Sequence, residues 1–310
     1  MKIKLLKSGA ALAALCILCL AAGCISENEK AGDVDKIGIV VTLLPQAEFA
    51  EKIGGDKVNV MVMVPPGASP HTYEPTPSQL AEVSNAKIYA KVGSGVEFEI
   101  AWMDKIKNTN KKMKVVDCSG GIELIDMEHE HTHEDEEHEH HEDEEHEHHH
   151  VGKDPHIWLS PKNARIMVEN IYQGLIEADP ENKEYYKKNK EDYLSELYKL
   201  DSEIETALEN KKHDKIMVYH PAWGYFCRDY GLEQMAIEKE GKEPTPKGIA
   251  SVIKQAKENN IKIIFASPEF STQSAQTIAN EINGEVVLLS PLEKNYTENL
   301  RKAAGAFSRI

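Results

Sequence analysis

An α/β protein of two similar parallel-sheet lobes joined by one long rigid helix is the architecture this sequence predicts, and three observations predict it. Short, continuous apolar runs rich in β-branched residues recur along the chain, as strands buried on both faces require. Stretches with helical spacing separate these runs. The whole pattern occurs twice, once on each side of the longest helical pattern in the chain. With 310 residues there is room for two domains of roughly 150 residues each, and a 41% apolar content can fill both cores.

In the first half, residues 37–43, 58–64, 87–92 and 114–117 read as strands, with helices at 45–54, 77–86 and 96–107. In the second half the strands fall at 215–219, 232–237, 261–266 and 286–289, and the helices near 222–230, 246–259 and 271–282. Between the halves, Asp179-Pro180 supplies an N-cap and a first-turn proline. Tyr186, Asn189, Tyr193, Leu197, Leu200, Ile204 and Leu208 then recur at three- and four-residue spacing. Thirty helical residues would span about 45 Å, enough to run past both lobes and to restrict hinging. The expected organisation is a first lobe at 36–178, a linking helix at 179–210 and a second lobe at 211–310.

The first 23 residues have the form of an export signal: Lys2, Lys4 and Lys7, then the apolar run 10–20, then small residues up to Gly23. The apolar run is shorter than the roughly 20 residues that span a bilayer. Leu20-Ala21-Ala22-Gly23-Cys24 resembles the lipobox of prokaryotic lipoproteins, with Leu20 one place earlier than usual, and so implies lipidation of Cys24. Residues 24–35 then form a polar tether, and the folded body sits outside the cytoplasm, anchored to the outer face of the cytoplasmic membrane. Beyond the signal and Cys24 only Cys118 and Cys227 remain, with no disulfide framework, and read as small buried apolar residues.

Lys+Arg 36 against Asp+Glu 52 gives a net charge of −16, which argues against nucleic acid as a partner. Most of that imbalance is local. Residues 128–150 hold 12 acidic residues, 10 histidines and one threonine, including two tandem copies of His-Glu-Asp-Glu-Glu-His-Glu-His. With no apolar side chain to bury, this segment is expected to be a disordered loop. His129, His131, His133, His138, His140, His141, His146, His148, His149 and His150 are ligands for zinc, copper or nickel. Because a floppy chain must be ordered on binding, those sites should be several, weak and exchangeable.

Four histidines lie elsewhere, and His213, in a run of charged residues, is expected to be exposed. His71 sits in Pro65-Pro66-Gly67-Ala68-Ser69-Pro70-His71, His156 in Asp154-Pro155-His156-Ile157-Trp158, and His220 directly after the strand ending at Tyr219. Open parallel sheets bind ligands beyond the carboxyl ends of their strands. Singly, each histidine fits a structural role; together they suggest a metal site in the cleft between the lobes.

The stretches 65–77, 154–161, Tyr219-His220-Pro221-Ala222-Trp223-Gly224-Tyr225 and Gly241-Lys242-Glu243-Pro244-Thr245-Pro246 closely resemble the metal-binding solute-binding proteins of zinc and manganese ABC importers. The resemblance covers residues 36–308. It implies two lobes on one long helix, His71, His156 and His220 as metal ligands, and delivery to a membrane permease by a protein acting as a monomer. His220 in the third position, and the acidic His-rich loop before the second, look like the zinc branch. Many relatives add a fourth, acidic ligand after the last strand, where this chain has Ser290. The resemblance therefore leaves Glu269, Glu293 or a water for that place.

The donor chemistry agrees. Three imidazoles plus an oxygen donor suit tetrahedral Zn²⁺; Ni²⁺ and Cu²⁺ also accept imidazole, and Mn²⁺ prefers carboxylate. Affinity should fall as pH drops through about 6.5, the reference value for histidine. Two other functions remain open at this point. Three histidines and a water would also serve a zinc metalloenzyme, but none of these three histidines stands in an HExxH and only Glu74 lies near His71 as a base. A surface metal-buffering or adhesion protein would rely on the loop instead of the cleft.

Overall fold

The first lobe's sheet contains β1 (Ile37–Val41), β2 (Val58–Val62), β3 (Ile88–Lys91) and β4 (Lys114–Asp117), hydrogen-bonded in the order β2-β1-β3-β4. All pairings are parallel, and Ile39 stands opposite Val60 on one side and Ile88 on the other. The second sheet contains β5 (Lys215–Val218), β6 (Glu233–Ala236), β7 (Ile263–Ala266) and β8 (Glu285–Leu288), ordered β6-β5-β7-β8 and again parallel. The two lobes therefore share one topology. In each, the strand order reverses at the first strand, where open α/β sheets leave a crevice at their carboxyl ends. The computed structural model describes residues 36–127, 152–238 and 242–310. The export signal, the tether with Cys24 and the His-rich segment 128–150 lie outside the described residues.

The helices of the first lobe are α1 (Leu44–Gly54), α2 (Pro77–Val83), α3 (Glu97–Thr109) and α4 (Pro161–Ala178); α5 (Lys183–Leu208) follows as the long helix. The second lobe carries α6 (Gly224–Tyr230), α7 (Pro246–Glu258), α8 (Gln273–Glu281) and α9 (Tyr296–Phe307). Two of these, α4 and α9, are additions to the sequence expectations. In α4 the signal is present: Ser160 caps it, Pro161 occupies the first turn, and Met167, Val168, Ile171, Tyr172 and Leu175 are buried at helical spacing. In α9 the buried face is partly alanine, which weakens the apolar period. The start of the long helix also differs from expectation. Pro180–Asn182 forms a separate 3₁₀ turn, and the Asp179 carboxylate accepts from the Asn182 amide at 2.8 Å and the Tyr186 hydroxyl at 2.6 Å, not from a backbone N–H.

Helix α5 buries Tyr186, Tyr193, Leu197, Leu200, Ile204 and Leu208. Its 26 residues span about 39 Å and pack on α1, α4 and α9, elements of both halves. One apolar core runs without a break from Ile39 and Val41 through Leu197 to Phe226, Phe265 and Phe307. A second, smaller core covers the other face of the second sheet, with Met217 and Ile264 against Ile278 and Ala279. The alternation of Ile216 and Val218 into one core and Met217 and Tyr219 into the other is the two-residue period of a strand covered on both sides. Cys118 and Cys227 are both buried, and no disulfide joins them. His213 is exposed with φ 70°.

Candidate metal centre

His71 stands in the proline-rich connection between β2 and α2, where Gly67 at φ 78° allows the sharp reversal. Its backbone N–H donates to Ser69 Oγ at 3.3 Å. His156 stands in the turn that leads through the 3₁₀ turn Ile157–Leu159 into α4. The Ser94 hydroxyl, beyond the end of β3, donates to the Pro155 carbonyl and fixes the approach to that turn. His220 follows the end of β5, and the Ala222 N–H donates back to its carbonyl at 2.8 Å. The first lobe's sheet end and the second lobe's sheet end thus both contribute.

The structure brings these three histidines together. Each offers a ring nitrogen, and the three atoms lie within 4.8 Å of one another. The Nε2 atoms of His156 and His220 are 3.2 Å apart. The His71 and His156 rings both meet the His220 ring edge-on, with centroids 4.9 Å and 5.1 Å away. His156 and His220 are 5% and 9% exposed, whereas His71 is half-buried. Phe270 covers the group from the second lobe, 5.0 Å from the His220 ring and 6.0 Å from that of His71.

A carboxylate stands at Nδ1 of every one of these rings: Glu97 at 2.9 Å from His71, Asp154 at 2.7 Å from His156 and Glu238 at 3.2 Å from His220. Sequence reasoning missed all three. Asp154, two residues before His156, could have been found from the Asp-Pro-His triplet. Glu97 opens α3 and Glu238 follows β6, positions that only the fold brings to the site. Burial pushes the His220 ring below its ordinary pKa, against the pull of Glu238, and the neighbouring His156 and His71 add to the depression. Glu97 is pushed up by burial, but its hydrogen bond to His71 and that ring's charge outweigh this and hold it below the usual carboxylate range.

The mouth of the site is a cavity of about 470 Å³ lined by His71, Glu97, Glu238, Glu243, Glu269 and Phe270 among others. Glu269 is half-buried in this wall, and its carboxylate accepts from the hydroxyls of Ser267 and Ser290. Ser290 therefore helps to orient an acid in the wall of this cavity. Glu293 is exposed on the turn before α9, outside the lining, and Glu74 is likewise exposed and outside it. The group of mutually close ligand atoms among the described residues contains neither Glu269 nor Glu293.

A family model described as "Zinc-uptake complex component A periplasmic" matches residues 39–309. The chain is similar to the high-affinity zinc uptake system protein ZnuA of Bacillus subtilis (strain 168): 34% identical over 302 residues, covering 96% of this chain and 92% of that protein. It is 33% identical over 300 residues to the zinc-binding lipoprotein AdcA of Streptococcus pneumoniae (strain ATCC BAA-255 / R6), covering 94% of this chain and 56% of AdcA, so it spans about half the length of that relative. A crystal structure of ZnuA superposes with a TM-score of 0.80 at 39% identity, covering 89% of this chain and 99% of that one. With a model matched along nearly the whole described body and a fold that follows it, the chain belongs to the ZnuA family of zinc-uptake components.

Proposed function

We propose that this protein is the extracytoplasmic zinc-binding component of an ABC-type importer. It captures Zn²⁺ with His71, His156 and His220 in the cleft between its lobes and delivers the ion to a membrane permease. The observation that carries this reading is the convergence of three imidazoles from both lobes, their ring nitrogens within 4.8 Å of one another. Zinc is cargo here, and the donor set selects it: three nitrogens fit a tetrahedral ion that lacks one ligand, and they disfavour Mn²⁺. Glu269 in the cavity wall, or a solvent molecule, would supply the fourth donor. Ni²⁺ and Cu²⁺ fit the nitrogens too and would be excluded by availability and geometry.

Lipid on Cys24 and the tether 24–35 would hold the protein at the outer face of the membrane, as the name of the lipoprotein AdcA supports. No helix among the described residues is long and apolar enough to cross a membrane. Uptake and not catalysis is the role supported by the names of the relatives. The local chemistry agrees with that role, because Glu97, Asp154 and Glu238, the acids beside the histidines, are engaged by the imidazole rings.

Competition calorimetry of Zn²⁺ against Mn²⁺, Ni²⁺ and Cu²⁺ on protein lacking residues 128–150 tests the cleft by itself. One tight zinc per chain is expected, with Mn²⁺ unable to displace it. Preference for Mn²⁺, or a His220→Ala variant that binds zinc as tightly as the parent, would overturn the reading.

A further inference from the structure

The three carboxylates behind the imidazoles come from unrelated parts of the chain: Glu97 from the first residue of α3, Asp154 from the turn before α4, and Glu238 from just beyond β6. Yet each meets its ring at the same atom, Nδ1, at 2.9, 2.7 and 3.2 Å. Asp154 and Glu238 are 3% and 5% exposed, so neither is a surface acid that touches a histidine in passing. Asp154 Oδ1 is itself held in place by the His156 backbone N–H at 2.9 Å. The lack of a Cβ at Gly224 makes room for its other oxygen: an added Cβ would lie 2.5 Å from Asp154 Oδ2.

A neutral imidazole carries one proton, on either nitrogen, and only the bare nitrogen can bind a cation. A carboxylate can accept a hydrogen bond from a ring N–H but offers nothing to a bare nitrogen. Placed at Nδ1, it keeps the proton there and leaves Nε2 bare. For His156 and His220 the Nε2 atoms already face one another at the centre of the group.

We propose that Glu97, Asp154 and Glu238 are positioning residues that hold the three histidines in the Nδ1–H tautomer and so present three bare Nε2 atoms to one cation. This rests on the zinc-site reading given above and adds to it the device that sets the ligand atoms. The three acids also bring three negative charges to within one ring's width of a divalent ion. Outer partners of this kind are worth about 10–100-fold in metal affinity.

The test uses the mature full-length protein with one equivalent of Zn²⁺, its affinity measured against a competing chelator and its imidazoles followed by long-range ¹H–¹⁵N spectra. The parent should show three histidines with zinc on Nε2 and a slowly exchanging proton on Nδ1. Glu238→Leu should lose the persistent Nδ1–H of His220 and weaken zinc binding about 10–100-fold, while the zinc-free protein keeps its circular dichroism. If that buried substitution does not fold, Glu97→Leu at the exposed rim should do the same to His71. A parent spectrum with zinc on Nδ1 of these rings would overturn the proposal, and so would folded variants whose affinity and imidazole signals match the parent. Loss of the zinc site as such would appear differently: the parent would lack a tight site, or His220→Ala would leave it intact.

Discussion

At the scale of single residues, His220 concentrates the site's physics: it is buried, touches the other two rings, and supplies the second lobe's nitrogen. His220→Ala should reduce zinc affinity by at least about 100-fold, roughly 2.7 kcal/mol or more at 0.59 kcal/mol per RT, read by chelator competition. The pH dependence follows from the sign of its shift. Burial holds its folded-state pKa below the unfolded value, so the ring stays neutral past the point where a free histidine would charge. Proton competition at His220 therefore begins below about 6.5 and not at it. Zinc-free protein should lose stability as pH falls from about 6.5 through the depressed folded value. Denaturant titrations of the parent against His220→Asn should show that loss in the parent only. Gly224 acts through space: Gly224→Ala would drive a methyl into the Asp154 carboxylate. The expected cost is about 1–3 kcal/mol of folding stability, with weaker zinc binding, both measurable on the purified variant.

At the scale of elements, the ends of the strands matter more than their middles. Glu99 on α3 accepts from the backbone N–H groups of Val92 and Gly93, at 2.6 and 2.9 Å, and from the Thr42 hydroxyl beyond β1. One buried carboxylate thus ties the ends of two strands at the crevice. Burial raises its pKa, and the bonds from Thr42, Gly93 and Val92 only partly offset this. A raised folded-state value means that the folded protein takes up this proton before the unfolded one. Its stability should therefore improve relative to Glu99→Gln as pH falls from the raised value toward 4.5, in urea titrations of both proteins. Across the lobes, Trp158 Nε1–H donates to the Pro291 carbonyl at 2.8 Å. Trp158→Phe strands that carbonyl and should cost about 1–3 kcal/mol. Most strands and helices were legible as runs and periods. Element α4 carried a cap, a proline and a clear apolar face, and α9 was diluted by alanine.

At the scale of the whole molecule, the lobes are joined by more than a linker. The core that starts at Ile39 continues through α5 to Phe307, and residues 36–310 cluster as one unit. Unfolding of the zinc-free protein should therefore be a single transition, with tryptophan fluorescence and far-ultraviolet circular dichroism coinciding. Two separated transitions would show lobes that fold on their own. Removal of residues 128–150 should abolish weak zinc binding in calorimetry and leave one tight site, since His71, His156 and His220, the residues gathered in the cleft, are not part of that segment.

By itself the sequence determined the two-fold alternation of strand and helix, because burial on both faces of a sheet requires uninterrupted apolar runs. It also marked three histidines in loops beside prolines, because prolines and chain reversals there are local features. Only the tertiary structure decided that His71, His156 and His220 share one centre, that Glu97, Asp154 and Glu238 stand behind them, and that Glu269 reaches the wall through Ser267 and Ser290. These partners are far apart in sequence, His71 and His220 by 149 positions. What brings them together is the packing of two sheets against a common helix, and no local propensity encodes that.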